Sequence, residues 1–218
     1  TSSTHGVEGF AGSAIQIGLL LDPDAPKPTG DVALLLVHAI NPYGFAWLRR
    51  ENEDNVDLNR NFVDHENKNY PENDLFEEIV DYLIPVEWND TAYQNYLTAI
   101  QSLNEKYGEV PVRKAMHKGQ YNHPGSIHYG GASSTWSNRT LELICSDYLK
   151  QSKRAAMIDI HTGLGPYGYG ELMTPSKPGE AVYDFFFNWY GNEVHSTTAG
   201  ASLYAGSKGS ILAGFRPL

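Results

Sequence analysis

The sequence predicts an α/β fold in which a mixed, mostly parallel central sheet is flanked by helices. The continuous apolar run 32–37 is typical of a strand buried on both faces, and residues 155–161 predict a second apolar strand that ends in Asp159-Ile160-His161. Segments of helical period, such as Gly9–Leu21, alternate with these runs. A length of 218 residues with 41% apolar residues is sufficient for a single domain with a sizeable core.

The elements follow from local patterns. Gly9–Leu21 is expected to form a helix with Phe10, Ile15 and Leu19 on one apolar face, and the proline-rich residues 22–30 end it. Residues 70–131 are expected to form a helical insertion with helices at 74–83 and 91–107. Ser134 or Asn138 is expected to cap a helix that ends near residue 153. Later elements are a strand at 171–174, a helix at 180–190 and the start of another element at 207–215.

Composition and charge exclude several classes of protein. A net charge of −10 argues against a nucleic-acid partner, because phosphate binding needs clustered Lys and Arg. No apolar run approaches the ~18 residues of a membrane span. The single cysteine, Cys145, excludes an internal disulfide and favours a reducing, cytoplasmic location; its apolar helical surroundings predict a buried thiol. The start without methionine and the uncapped end lead us to expect truncation at both ends.

Metal-ligating residue types occur in two places. His5 and Glu8, three residues apart between glycines, supply two of the three protein ligands that a catalytic zinc requires. His161 ends a predicted strand, where ligands bind in open α/β sheets. His123 and His128 are also possible ligands, but surface or substrate-contacting roles are favoured for them. The glycines of residues 163–170 open no helix and predict no phosphate site.

Arg60 lies in a run of polar and apolar residues, Asp57-Leu58-Asn59-Arg60-Asn61. It is either a solvated arginine at an irregular strand edge or an arginine held by its neighbours to face a carboxylate. The planar guanidinium is suited to the second role.

Four segments, THGVEGF, NPYGFAWLRR, NVDLNRNF and IDIHTGLGPYG, occur in this order along the chain. Together they resemble the zinc metallocarboxypeptidase family with the carboxypeptidase A-like fold, and within it a bacterial branch labelled as a domain of unknown function. The resemblance runs from Thr4 to about Gly170, and residues 70–131 lie outside the family pattern. It implies one zinc ion per chain, held by His5, Glu8 and His161.

The resemblance also implies roles around the metal. Asn59 and Arg60 match the pair that holds the C-terminal carboxylate of a substrate. Arg49 or Arg50 matches the arginine that stabilises the oxyanion, and we prefer Arg50 because it begins the step into the following loop. Asp57 and Asn61 are expected to orient these groups.

The general base of the family, a glutamate on a strand after the third ligand, has no clear counterpart. Glu171 is the candidate that we carry forward; Glu180, Asp184 and Glu193 also follow His161 without the family context. Tyr167 and Tyr169 are candidate substrate contacts, although they precede the position of the family's tyrosine. Either the chain ends before the strand with the base, or Glu171 has taken the role, or the protein binds without turnover.

The expected function is hydrolysis of a C-terminal peptide or peptide-like amide bond in a substrate with a free carboxylate. An N-acyl amino acid amidohydrolase of the aspartoacylase or desuccinylase kind is one alternative. A non-catalytic zinc- or carboxylate-binding module is the other. The sequence leaves the side-chain preference and the oligomeric state open.

Overall fold

The structure is a computed structural model that describes residues 1–163, 165–199 and 209–215. Within these ranges the chain forms a mixed helix and strand fold. Its elements are α1 (Gly9–Leu21), α2 (Pro42–Trp47), α3 (Asp74–Glu77), α4 (Val80–Leu83), α5 (Asp90–Tyr107), α6 (Glu109–Lys118), α7 (Trp136–Leu149), β1 (Leu172–Thr174), α8 (Ala181–Tyr190) and β2 (Val194–Ser196). None of the helices in the described ranges has both the length and the apolar character needed to cross a membrane.

The regular sheet is smaller than the sequence predicts. Strands β1 and β2 pair in parallel, with Leu172 opposite Val194, and β1 confirms the strand expected at residues 171–174. The runs 32–37 and 155–161 are not strands, so that prediction is wrong. Val32 and Ile158 are each about two-thirds exposed, and a continuous apolar run forms a central strand only where both of its faces are covered.

The first residues of the chain lie between the ends of those two runs. On one side, the Ser2 amide donates to the Val37 carbonyl at 3.1 Å and the Ile40 amide donates to the Ser2 carbonyl at 3.1 Å. On the other side, the Ile160 amide donates to the Thr1 carbonyl at 3.1 Å, and Ser2 forms a parallel bridge with Ile160. These bonds place the turn after Thr4 beside the end of the 155–161 run.

Helix α1 has the predicted bounds, but its predicted apolar face is not the face that is buried. Phe10, Ile15 and Leu19 are 52%, 49% and 41% exposed. The buried residues are instead small or polar, namely Gly9, Gly12 and Gln16. A Cβ on Gly12 would lie 2.6 Å from the Cβ of Ser2, so the helix packs closely against the N-terminal segment through its glycines.

Two apolar clusters form the core within the described ranges. One contains Ile40, Phe62, Leu141, Cys145 and Ile211, and confirms the burial of the single thiol. The other, formed by Ile79, Leu103, Val112 and Ala115, lies within the segment predicted as a helical insertion.

The helix boundaries follow local capping. Residues 74–83 form two short helices, α3 and α4, rather than one. Helix α7 is capped by Thr135, whose side chain accepts from the Asn138 amide, so the predicted caps Ser134 and Asn138 are wrong. Helix α7 ends at Leu149. In the predicted element at 207–215, residues 207 and 208 lie outside the described ranges, and Ile211–Ala213 forms a 3-10 turn.

Candidate metal centre

The turn that carries the first two predicted ligands is a 3-10 turn, Gly6–Glu8, held by backbone bonds. The Gly6 and Val7 amides donate to the carbonyls of Arg50 and Arg49 at 3.2 and 3.0 Å. A Cβ on Gly6 would lie 1.9 Å from the carbonyl carbon of Gly44. Only glycine permits this approach, so residue 6 fixes where His5 and Glu8 point.

The three predicted metal ligands come together. One ligand atom from each of His5, Glu8 and His161 lies within 4.8 Å of the others. The Nδ1 atom of His5 is 3.0 Å from Glu8 Oε1. The Nδ1 atom of His161, 153 residues further along the chain than Glu8, is 2.9 Å from Glu8 Oε2. The two imidazoles therefore present equivalent nitrogens to one carboxylate.

The other nitrogen of each imidazole meets a second carboxylate. His5 Nε2 is 3.1 Å from Asp57 Oδ1, and His161 Nε2 is 2.6 Å from Asp159 Oδ2. A carboxylate accepts a hydrogen bond, so each contact places a proton on Nε2 and leaves Nδ1 as the nitrogen that would bind a metal ion once it has lost its own proton. This arrangement is typical of metal-binding histidines.

Asp159 was missed by the sequence reasoning. Its Oδ1 accepts from the hydroxyl of Thr4 at 2.8 Å and from the hydroxyl of Thr1, which fixes the carboxylate towards His161. The signal available in the sequence was its spacing, because residues two apart on an extended segment point to the same side.

The electrostatics of the group favour a cation. Burial by itself raises the pKa of Glu8, but hydrogen bonds from His161 and His5 outweigh it and hold the pKa well below its ordinary value. Burial opposes a charge on His161, but its bonds to Asp159 and Glu8 raise its pKa to about 10. In the metal-free chain, the carboxylates of Asp159 and Glu8 therefore stabilise the protonated form of His161. Two imidazole nitrogens and one carboxylate fit a divalent ion such as zinc.

Of the two candidate arginines, Arg50 borders this group. Its Nε and Nη2 atoms donate to Asp57 Oδ2 at 3.2 and 3.0 Å, and its Nη1 lies 3.7 Å from Glu8 Oε1. About a third of the Arg50 side chain is exposed. Arg49 instead donates to Asn55 Oδ1 at 3.0 Å.

Asn59 and Arg60, the predicted carboxylate-binding pair, are engaged with the backbone. Arg60 is buried and donates to the carbonyls of Asn59 and His117 at 2.8 and 2.6 Å. The side-chain oxygen of Asn59 accepts from the Ile211 amide at 3.0 Å. The guanidinium therefore supports the fold around Asp57, from which its Nη1 is 4.0 Å distant.

The remaining predicted residues lie elsewhere. Tyr167 and Tyr169 are exposed in the loop after His161. Glu171 Oε1 is 2.8 Å from His195 Nδ1, so its described partner belongs to strand β2. Asn61 is buried and binds the 130–135 loop, with its Nδ2 donating to the Gly130 carbonyl at 2.8 Å.

The two other candidate histidines differ from each other. His123 Nε2 is 2.7 Å from Glu77 Oε2 near the surface. His128 is 9% exposed, and its Nδ1 lies 3.1 Å from Asp57 Oδ2. Neither is in the three-residue group, but His128 contacts the carboxylate that holds His5. Sequence patterns gave no signal for this contact between positions 71 residues apart.

Fold and site together define a mixed helix and strand protein with a histidine–carboxylate group suited to a metal ion. A family model described as "Protein of unknown function (DUF2817)" matches residues 1–217, and the chain belongs to this family. No curated protein and no solved structure matches the chain. The family description names no activity, so function has to be argued from the site.

Proposed function

We propose that the protein is a zinc-dependent hydrolase that cleaves a C-terminal peptide or peptide-like amide bond, with His5, Glu8 and His161 as the zinc ligands. One observation carries the proposal. The Nδ1 atoms of both histidines converge on Glu8 while their Nε2 atoms each meet a buried carboxylate. A chance cluster of exposed acidic groups has no reason to satisfy both nitrogens of two rings in this way.

The ion and the side chains would contribute differently to the reaction. A bound zinc supplies Lewis acidity, which polarises an amide carbonyl and acidifies water. Arg50 presents a partly exposed guanidinium beside Glu8, where it can donate to a carbonyl or carboxylate oxygen of the substrate. Asp57 holds Arg50 in this place through two hydrogen bonds.

The scaffold of the site in this proposal is the N-terminal segment. Backbone bonds join Thr1 and Ser2 to residues 37–40 on one side and 158–160 on the other. The proposal also includes a reducing, cytoplasmic location, for which the single cysteine is the support.

Two alternatives predict different substrates. An N-acyl amino acid amidohydrolase accepts only a small acyl group, whereas a peptidase accepts a dipeptide or longer peptide with a free carboxylate. A non-catalytic zinc- or carboxylate-binding module is favoured by one observation, the engagement of Glu171 with His195, which leaves the general base unassigned. Assays with dipeptides and N-acyl amino acids separate the three, since the module binds both without turnover.

The first test is metal stoichiometry by elemental analysis of the protein purified without chelator. We expect about one zinc ion per chain, its loss in His161→Ala, and its retention in His195→Ala. His195 is a suitable control because it is also a half-buried histidine with a carboxylate partner, Glu171. Absence of metal from the wild type, or equal zinc in His161→Ala, would contradict the proposed ligands.

A further inference from the structure

His128 adopts a left-handed backbone conformation. Its φ is +54°, in a region that residues other than glycine enter uncommonly, although asparagine, aspartate and histidine enter it more often than the others. Its carbonyl accepts from the Gln120 amide at 3.1 Å, and the next carbonyl, that of Tyr129, accepts from the Asp57 amide at 2.8 Å. A residue kept in such a conformation suggests a role for its side chain.

The side chain points at the carboxylate that holds His5. His128 is 9% exposed, and its Nδ1 is 3.1 Å from Asp57 Oδ2. The other oxygen, Oδ1, is 3.1 Å from His5 Nε2 and accepts from the Asn59 amide at 2.9 Å. Asp57 is fully buried. His128 and His5 therefore contact different oxygens of one carboxylate that water does not reach.

The direction of these bonds fixes the protons. An ionised carboxylate only accepts, so Nδ1–H of His128 and Nε2–H of His5 both donate to Asp57. With its Nε2 proton donated to Asp57, His5 turns Nδ1 towards Glu8 Oε1, which is 3.0 Å away. Arg50 also donates to Oδ2, but its side chain is about one-third exposed. His128 is the more rigidly held of the two donors, because its ring packs edge-on against His117 with centroids 5.6 Å apart.

We propose that His128 is a positioning residue for the metal centre: it orients Asp57, which in turn fixes the orientation of the His5 ring. The inference rests on the proposed function where it concerns zinc, but its effect on His5 exists in the metal-free chain. It gives the 70–131 segment a part in the site, because the last residues of that segment supply a side chain behind the first ligand.

Two substitutions isolate the donor from the backbone. His128→Asn keeps an N–H at the position of Nδ1 and tolerates the left-handed conformation. His128→Gly tolerates the conformation equally but has no donor. Urea unfolding of both metal-free variants shows that each is folded before any comparison is made.

Two readouts follow. In metal-free chains, NMR of the imidazole N–H groups reports the hydrogen bond from His5 Nε2 to Asp57. We expect the same Nε2–H signal, shifted downfield by this bond, in the wild type and in His128→Asn, and an upfield shift of it in His128→Gly. In competition with a chromogenic chelator, we expect zinc affinity close to wild type for His128→Asn and roughly 10- to 100-fold weaker for His128→Gly, the usual range for an outer partner of a metal ligand.

The proposal is overturned if His128→Gly leaves the Nε2–H signal of His5 unchanged, or if both variants change it equally, because then the donor on residue 128 does not orient Asp57. A wild-type chain that binds no zinc would overturn the proposed function instead. The NMR comparison of the three metal-free chains would still decide the role of His128, so the two failures are distinguishable.

Discussion

The N-terminal segment and helix α1 are neighbours in the chain, yet each reverses the usual relation between polarity and burial. Ser2, Ser3 and Thr4 are almost completely buried, whereas Leu20 and Leu21 are 71% and 76% exposed. The polar segment tolerates burial because its groups are paired. The amide and carbonyl of Ser2 bond to the backbone of residues 37–40, and the Thr4 hydroxyl donates to Asp159. Burial in this region therefore follows hydrogen bonding around the candidate site rather than hydropathy.

The largest effect that tests this contrast is expected at Asp57. This buried carboxylate accepts from Arg50 and contacts His5 and His128, so Asp57→Ala leaves buried donors without a partner. We expect a loss of about 3–5 kcal/mol in the free energy of unfolding, measured with urea. Asp57→Asn retains an acceptor oxygen and should lose less. A loss below about 1 kcal/mol in the alanine variant would mean that these bonds do not stabilise the segment.

The next largest effect is expected in the pH dependence of the stability of the metal-free chain. The pKa of His161 is raised from 6.5 to about 10 in the folded chain, so the stability that it contributes is fully present below about pH 6.5 and is lost as the pH rises towards 10. Glu8 acts in the opposite sense, since its pKa is lowered from 4.5. Its contribution is present above about pH 4.5 and is lost as the pH falls further.

Urea midpoints measured in chelator should therefore be highest between about pH 4.5 and 6.5. His161→Gln removes the titrating ring, so the decline on the alkaline side should flatten in this variant. An unchanged decline would assign it to another group. Added zinc should stabilise the wild type most at high pH, because a metal-ligating histidine has to be deprotonated.

Two glycines of helix α1 differ in how closely they pack against the N-terminal segment. A Cβ on Gly12 would lie 2.6 Å from the Ser2 side chain, whereas a Cβ on Gly18 has no atom within 4 Å. Gly12→Ala is expected to cost about 1–3 kcal/mol through overpacking. Gly18→Ala is expected to stabilise the helix by about 0.5–1 kcal/mol. Thermal unfolding of both variants measures the difference, and equal effects would contradict the close packing at Gly12.

The smallest effect is expected on the exposed face of α1. Leu20→Ala removes a side chain that is 71% exposed, so the change should stay within about 0.5 kcal/mol. Leu141→Ala, at a position that is 2% exposed in the core, is the matched control and should cost about 2–5 kcal/mol. Similar losses for the two variants in urea unfolding would show that the α1 face is covered in solution.

The sequence predicted local features best. The bounds of α1 follow from its composition, and the burial of Cys145 follows from its apolar neighbours. The run 32–37 was misjudged, because a continuous apolar pattern predicts a central strand only if other segments cover it, which local pattern does not reveal. The cap of α7 is Thr135, one residue after the predicted Ser134 and three residues before the predicted Asn138.

In the candidate site too, the residues in local motifs were predicted and the residues that make long-range contacts were not. His5, Glu8 and His161 were identified from motifs, and the structure brings them together. Asp159 and His128 were not identified as partners of the ligands, because their roles depend on contacts between distant positions. The contact of His128 with Asp57 spans 71 residues, and no spacing rule predicts a pairing of that length.

The contacts around Asp57 and Glu8 also bear on the order of folding. Glu8 meets His161 across 153 residues, and Asp57 meets His5 across 52. Contacts of such separation close large loops, which is slow and entropically costly. Helices such as α5 and α6 can form from local interactions much earlier. The ligand cluster is therefore expected to assemble late in folding, so that the competence of the chain to capture a metal ion signals that the native topology is complete.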